Sequence, residues 1–348
     1  MFTPDYMNLQ KAAMNIEAER IPLYEHIIDF GIAEKILGKE FAGLLSSNYE
    51  DKKEFFRNYC EFFKLMGYDT ISFEQCIGAV LPNGGALGSH KKGVIQSRED
   101  FNKYPFEEIP DLYEKEFFES FKALSEVMPE GMKAVGGVGN GIFECVQDLV
   151  GYMDLCIMSV DDPELYADMF KKIGETNLKI WKRFMERFSD TYCVLRFGDD
   201  LGFKSNTLLS ADDIRTHIVP QYKNIIDLVH SYNKPFLLHS CGCIFDVMDD
   251  MIEIGIDAKH SNEDQIAEFP VWVEKYGDKI GNFGGIDTDA VCRLSRTEMK
   301  EYITEVVAKS KGHGGFAFGS GNSIPDYVPV DNFVMMNEII REIRGEKL

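Results

Sequence analysis

Short runs rich in β-branched and aromatic residues alternate with helix-length amphipathic segments along most of this chain. The runs fall at 68–73 (YDTISF), 132–138 (MKAVGGV), 191–197 (TYCVLRF), 235–239 (PFLLH), 256–260 (IDAKH), 279–284 (KIGNFG) and 315–319 (GFAFG). Segments such as 163–189 and 211–231 lie between them and place apolar residues three and four apart. Strand then helix, repeated, predicts a parallel sheet covered on its outside. Residues 1–66 show no strand-like run. Tracts such as AERIPLYEHIIDFGIAEKILG carry helical spacing instead.

The expected fold is a (β/α)8 TIM barrel, complete or distorted, with an N-terminal helical extension over 1–66 and the catalytic barrel over 67–348. Seven strands are visible, so an eighth is expected within 79–97 or the barrel is irregular. An open doubly wound sheet would need a Gly-rich phosphate turn after its first strand. The first run is followed by EQCIGAVLPNGG, which does not supply one. No repeat or linker interrupts the barrel region.

Each run ends in reactive side chains. Glu74 closes the first, and the second leads through GNGIF to Glu144. Asp199 and Asp200 close the third, His239, Cys241 and Cys243 the fourth, His260 the fifth, Asp287 the sixth, and Ser320 and Asn322 the seventh. In a barrel these ends form one ring around one mouth. Asp287 reads more simply as a helix cap. Glu144 also suits a helix start. Of the adjacent pair Asp199 and Asp200, one faces the mouth.

His239 and Cys241 give the sharpest chemical signal. Residues two apart on an extended strand end share a face, so imidazole and thiol converge. Nitrogen with sulfur is a ligand set that zinc favours. Gly242 permits a sharp turn, and Cys243 offers a second sulfur.

Composition narrows the function classes. The chain has 348 residues, 58 acidic against 37 basic, for a net charge of -21. Such a surface repels phosphate backbones and anionic lipid, so neither nucleic acid nor membrane is an expected partner. There is no apolar stretch of membrane-spanning length, and MFTPDYMNLQKAAMN has no signal-peptide pattern. Eight cysteines at irregular spacing read as reduced thiols, and a cytoplasmic location is expected.

The runs PFLLHSCGCIFDVMDDMIEIGIDAKHSNED, GNFGGIDTD and FGSGNSIPDYVPVDNF resemble the uroporphyrinogen decarboxylase superfamily over about residues 60–345. The resemblance implies a (β/α)8 barrel and one of two activities. The decarboxylases carry an Arg-rich N-terminal signature for porphyrinogen carboxylates. The matching region here, AERIPLYEHIIDFG, has one Arg and acidic neighbours. The cobalamin-dependent methyltransferases, among them the methylcobalamin:coenzyme M and O-demethylase enzymes, hold zinc with a His-x-Cys pair and a later Cys. His239 and Cys241 match the pair, but Ser320 stands where the later Cys would fall.

The third ligand must then come from elsewhere. Glu74, Glu144 and Cys243 are the candidates, with Glu144 preferred because GNGIF gives its approach freedom. The expected function is a zinc-dependent transfer of a methyl group between a small methylated ether, amine or thiol and a corrinoid carried by a partner protein. In this reading His239, Cys241 and Glu144 bind zinc, and Asp200 and His260 handle protons. Glu74, Asp199, Ser320 and Asn322 then contact substrate. A metal-free decarboxylase and a non-catalytic ligand-binding barrel are the alternatives.

Overall fold

Seven parallel strands form one curled sheet in sequential order: β1 (Thr70–Cys76), β2 (Lys133–Gly139), β3 (Tyr192–Gly198), β4 (Phe236–His239), β5 (Ala258–His260), β6 (Gly281–Ile286) and β7 (Phe316–Ser320). The computed structural model describes residues 2–346. All seven strands sit within or beside the runs expected from sequence. Helices on the outside cover the sheet, the longest being Pro163–Phe188, started by Pro163 and capped by the Asp162 side chain. The result is a distorted (β/α)8 barrel.

The gap between β7 and β1 is filled from the N-terminal region. Leu23 bridges Phe318 in parallel, with Tyr24 N donating to Phe318 O and Phe318 N donating to Pro22 O, both at 2.9 Å. On the other flank Ser72 Oγ donates to the carbonyl of His26. Residues 22–28 thus occupy the place of the eighth strand. Residues 79–97, where the sequence suggested that strand, carry only the end of a 3-10 turn (Ile77–Val80) and irregular chain. Helical spacing in 18–38 is real only from Phe30 to Leu37, where Asp29 caps the start. Pro22 lacks the donor that a helix interior needs, and the residues around it gain more by burial against β7.

The barrel interior is layered. Val194, Leu237 and Ala258 join Val135, Phe283 and Ala317 in an apolar cluster with Leu9, Ala12 and Ala13 of the helix Met7–Ala13. That helix seals the floor. Two residues further along the strands, on the same face, stand Arg196, His239 and His260. The interior therefore changes from apolar floor to polar mouth within one strand repeat. No helix among the described residues is long and apolar enough to cross a membrane.

Candidate metal and substrate site

His239 and His260 are register partners on β4 and β5, so their rings meet in the barrel. Their Nδ1 atoms lie 2.8 Å apart, and His260 Nε2 lies 3.0 Å from the carbonyl of Ser320. A carbonyl only accepts, so His260 carries its proton on Nε2 and accepts on Nδ1. His239 must then donate from Nδ1. Its Nε2 is left as a bare lone pair at the mouth. Burial lowers the pKa of both rings, that of His260 to about 3, so both are neutral at pH 7.

That lone pair faces Cys241 Sγ at 3.5 Å and Asp200 Oδ1 at 3.9 Å. One donor atom from each of the three lies within 4.8 Å of the other two. A tetrahedral ion bound to nitrogen and sulfur at 2.0–2.3 Å would hold them roughly 3.6 Å apart. The set thus fits zinc with three protein ligands and one open position. Burial raises the Cys241 thiol pKa far above its usual value, and a dication would reverse that by stabilising the thiolate. Asn322 Nδ2 donates to the sulfur at 3.4 Å, a contact that strengthens as the sulfur gains charge.

The loop geometry follows from two glycines. Gly242 has φ +82°, and a Cβ there would sit 2.7 Å from Gly202 Cα. The loops after β3 and β4 interlock at this point: Gly202 N donates to Cys241 O, and Cys241 N donates to Asp200 Oδ1 at 2.8 Å. Asp200 and Cys241 are thereby fixed to each other.

The remaining sequence candidates are placed as follows. Glu144, preferred from sequence as third ligand, is not in the His239 group. It accepts from Asn140 Nδ2 at 2.6 Å, and burial plus the Asp199 and Asp200 carboxylates raise its pKa well above the usual range. Asp199 is fully buried and accepts from the amides of Phe143 and Glu144 at 2.9 and 2.8 Å and from the Tyr222 hydroxyl. It anchors the helix Ile142–Val150 and leaves no oxygen for a substrate. Of the two adjacent aspartates, Asp200 faces the mouth.

Glu74 accepts two bonds from buried Arg196, at 2.9 and 2.6 Å. Ser320 gives its amide and hydroxyl to Glu25 and its carbonyl to His260. Cys243 lies outside the His239 group, and its amide donates to Phe203 O. Asp287 caps the helix Thr288–Arg293 by accepting from Asp289 N, as its position suggested.

Sequence reasoning missed Tyr24, Glu25, His26 and Arg196. Arg196 also donates to the Tyr24 and Ser72 hydroxyls, so it ties the N-terminal segment to β1 and β3. A charged residue inside the apolar run TYCVLRF was the available signal. His26 stacks on His239 with ring centroids 3.7 Å apart and planes 26° from parallel. His26, His239 and His260 also bring ring nitrogens within 4.8 Å. Stacked rings direct their in-plane lone pairs side by side, and the Nδ1 atoms of His239 and His260 serve each other. That trio is therefore a packing arrangement, and the His239–Cys241–Asp200 group is the candidate metal centre.

The comparisons with known proteins agree with this fold. A methyltransferase from Methanosarcina mazei superposes with a TM-score of 0.71 at 16% identity, covering 99% of each chain. A candidate vitamin-B12-independent methionine synthase from Listeria monocytogenes superposes with a TM-score of 0.54 at 14% identity, covering 99% of this chain and 100% of that one. At such identities the likeness is one of fold. No curated protein sequence matches the chain. The family model described as uroporphyrinogen decarboxylase (URO-D) matches residues 81–343. That span holds six of the seven strands and every residue of the candidate metal centre, and the chain belongs to the uroporphyrinogen decarboxylase (URO-D) family.

Proposed function

We propose that this protein is a zinc-dependent methyltransferase that moves a methyl group between a small methylated substrate and a corrinoid held by a partner protein. The observation that carries the reading is the convergence of His239 Nε2, Cys241 Sγ and Asp200 Oδ1 at the barrel mouth, with the His239 tautomer set from behind by His260. The fold likeness to a methyltransferase supports it.

Zinc bound there would supply Lewis acidity to a substrate oxygen, nitrogen or sulfur, and the corrinoid would exchange the methyl group. The chain's own residues do the positioning. His239, Cys241 and Asp200 would hold the ion and leave one side open. His260 keeps the His239 lone pair available. Asn322 holds the sulfur from the side.

The decarboxylase alternative needs free cations for a polycarboxylate. Arg20 is paired with Asp69 and Arg196 with Glu74. Neither is available to such a substrate. The test is to mix zinc-loaded protein with free cob(I)alamin and methyl ethers, methylamines or methyl thioethers, and follow the corrinoid spectrum. Formation of methylcobalamin with one class is expected. Turnover of uroporphyrinogen, with no methyl transfer from any class, would refute the proposal.

A further inference from the structure

Ala258 and His260 of β5 face the barrel interior, so Lys259 between them points outward into the helix layer. It meets almost no solvent there, being 2% exposed. Its Nζ lies 3.5 Å from the ring centre of Trp272, on the helix Phe269–Tyr276, and donates to the carbonyl of Ser261. Trp272 in turn stacks on Phe245, with ring centroids 4.2 Å apart and planes 14° from parallel.

Packing alone does not explain a lysine at this place. Lysine is almost never fully buried without an ionic partner, and no carboxylate hydrogen-bonds to this one among the described residues. Loss of water pulls its pKa down from 10.5 to about 7, a sign of what the position costs. A methionine of similar length would fill the space against Trp272 without that cost. What lysine adds is a donor, and the donor is spent on Ser261.

Ser261 stands one residue past the end of β5, beside the candidate metal centre. Its hydroxyl has one hydrogen and two acceptors in reach, Ser240 O at 3.2 Å and Cys241 Sγ at 3.7 Å. A metal-bound thiolate is an anion and draws that hydrogen to the sulfur. We propose that Lys259 is a positioning residue for the metal centre: by holding Ser261 O it aims Ser261 Oγ at Cys241 Sγ. The contacts run from Trp272 through Lys259 and Ser261 to Cys241, from the helix layer across the barrel wall to the mouth. A hydrogen bond on the thiolate limits its donation to the metal and so keeps the metal a stronger Lewis acid. The inference rests on the metal centre of the proposed function and not on which methyl group is moved.

The test uses the full chain loaded with zinc or with cobalt(II), unmodified and as Lys259→Met, Ser261→Ala and the double variant. Competition with a chelator gives zinc affinity, and the thiolate-to-cobalt charge-transfer band reports on the sulfur. Each single variant should weaken zinc binding about tenfold, as expected for an outer partner of a metal ligand. Each should also move the band to longer wavelength, because a sulfur without its hydrogen bond gives up electron density more readily. The double variant should lose little beyond Ser261→Ala alone, since Lys259 acts through that hydroxyl. Lys259→Leu takes the place of Lys259→Met if the latter does not fold. A lysine variant with unaltered zinc affinity and cobalt band, whatever its urea midpoint, overturns the proposal, as do losses that add in full. An unmodified protein that binds neither metal overturns the metal centre and this inference together; one that binds both and ignores the substitutions overturns this inference alone.

Discussion

His260 meets His239 head-on, Nδ1 to Nδ1, at 2.8 Å. Only one arrangement of protons satisfies this contact together with the Ser320 carbonyl, and it leaves His239 Nε2 free to bind a cation. On the proposed reading His260 would act through His239 as a positioning residue, where its place at a strand end suggested proton transfer.

Removing that support should loosen the metal without unfolding the barrel. His260→Ala should weaken zinc binding by about 10–100-fold, the usual effect of losing a partner behind a metal-bound histidine. Competition with a chromophoric chelator measures it. Unchanged affinity would show that the tautomer is set by something else.

The Arg196–Glu74 pair holds three parts of the barrel together. Arg196→Met leaves Glu74 nearly buried without its partner and should cost about 3–5 kcal/mol. Adding Glu74→Gln should restore much of that loss, because the orphaned charge is then gone. Urea denaturation of both variants checks this, and a double variant no more stable than the single one would contradict it.

Asp199 and Asp200 are neighbours with separate tasks. Asp199→Ala removes the anchor of the helix Ile142–Val150 and leaves the Tyr222 hydroxyl unpaired, and should cost about 2–4 kcal/mol. Zinc content should not change. Asp200→Ala should do the reverse, preserving stability and losing metal. Metal loss in the Asp199 variant with unchanged stability would reverse these roles.

Glu25 makes stability depend on pH. Burial raises its pKa from 4.5 to about 8 in the fold. A raised carboxyl pKa means that the folded state binds the proton more tightly than the unfolded state. Its stabilising contribution is full below pH 4.5 and is lost as pH rises towards 8. Glu25→Gln removes this dependence. The stability of the variant relative to the unmodified protein should therefore rise across that window, by at most about 1.4 kcal/mol per pH unit. Denaturation midpoints at pH 5, 6, 7 and 8 measure it. A constant difference would show that Glu25 is ionised in the fold.

Much of this was legible in the sequence because it depends on local patterns. The seven strands carry β-branched runs, and the shift from apolar run to polar end marks the mouth. His239 and Cys241 converge because residues two apart on an extended chain share a face. The segment 22–28 was hidden because IPLYEHII satisfies helical spacing as well as extended burial. Only contact with β7 and β1 decides between them. The grouping of Asp200, rather than Glu144, with His239 was hidden for a similar reason. It depends on the Gly202–Gly242 approach, which joins loops about forty residues apart. Glu144 reaches the same neighbourhood but spends its carboxylate on Asn140.

The most direct test of the account is X-ray absorption at the zinc edge of protein loaded with one equivalent of zinc. One sulfur is expected at about 2.3 Å, with nitrogen and oxygen neighbours at about 2.0–2.2 Å. The sulfur should vanish in Cys241→Ser, and the imidazole scattering should vanish in His239→Ala. Two sulfurs would bring Cys243 into the site in place of Asp200, and a protein that retains no zinc would contradict the metal centre itself.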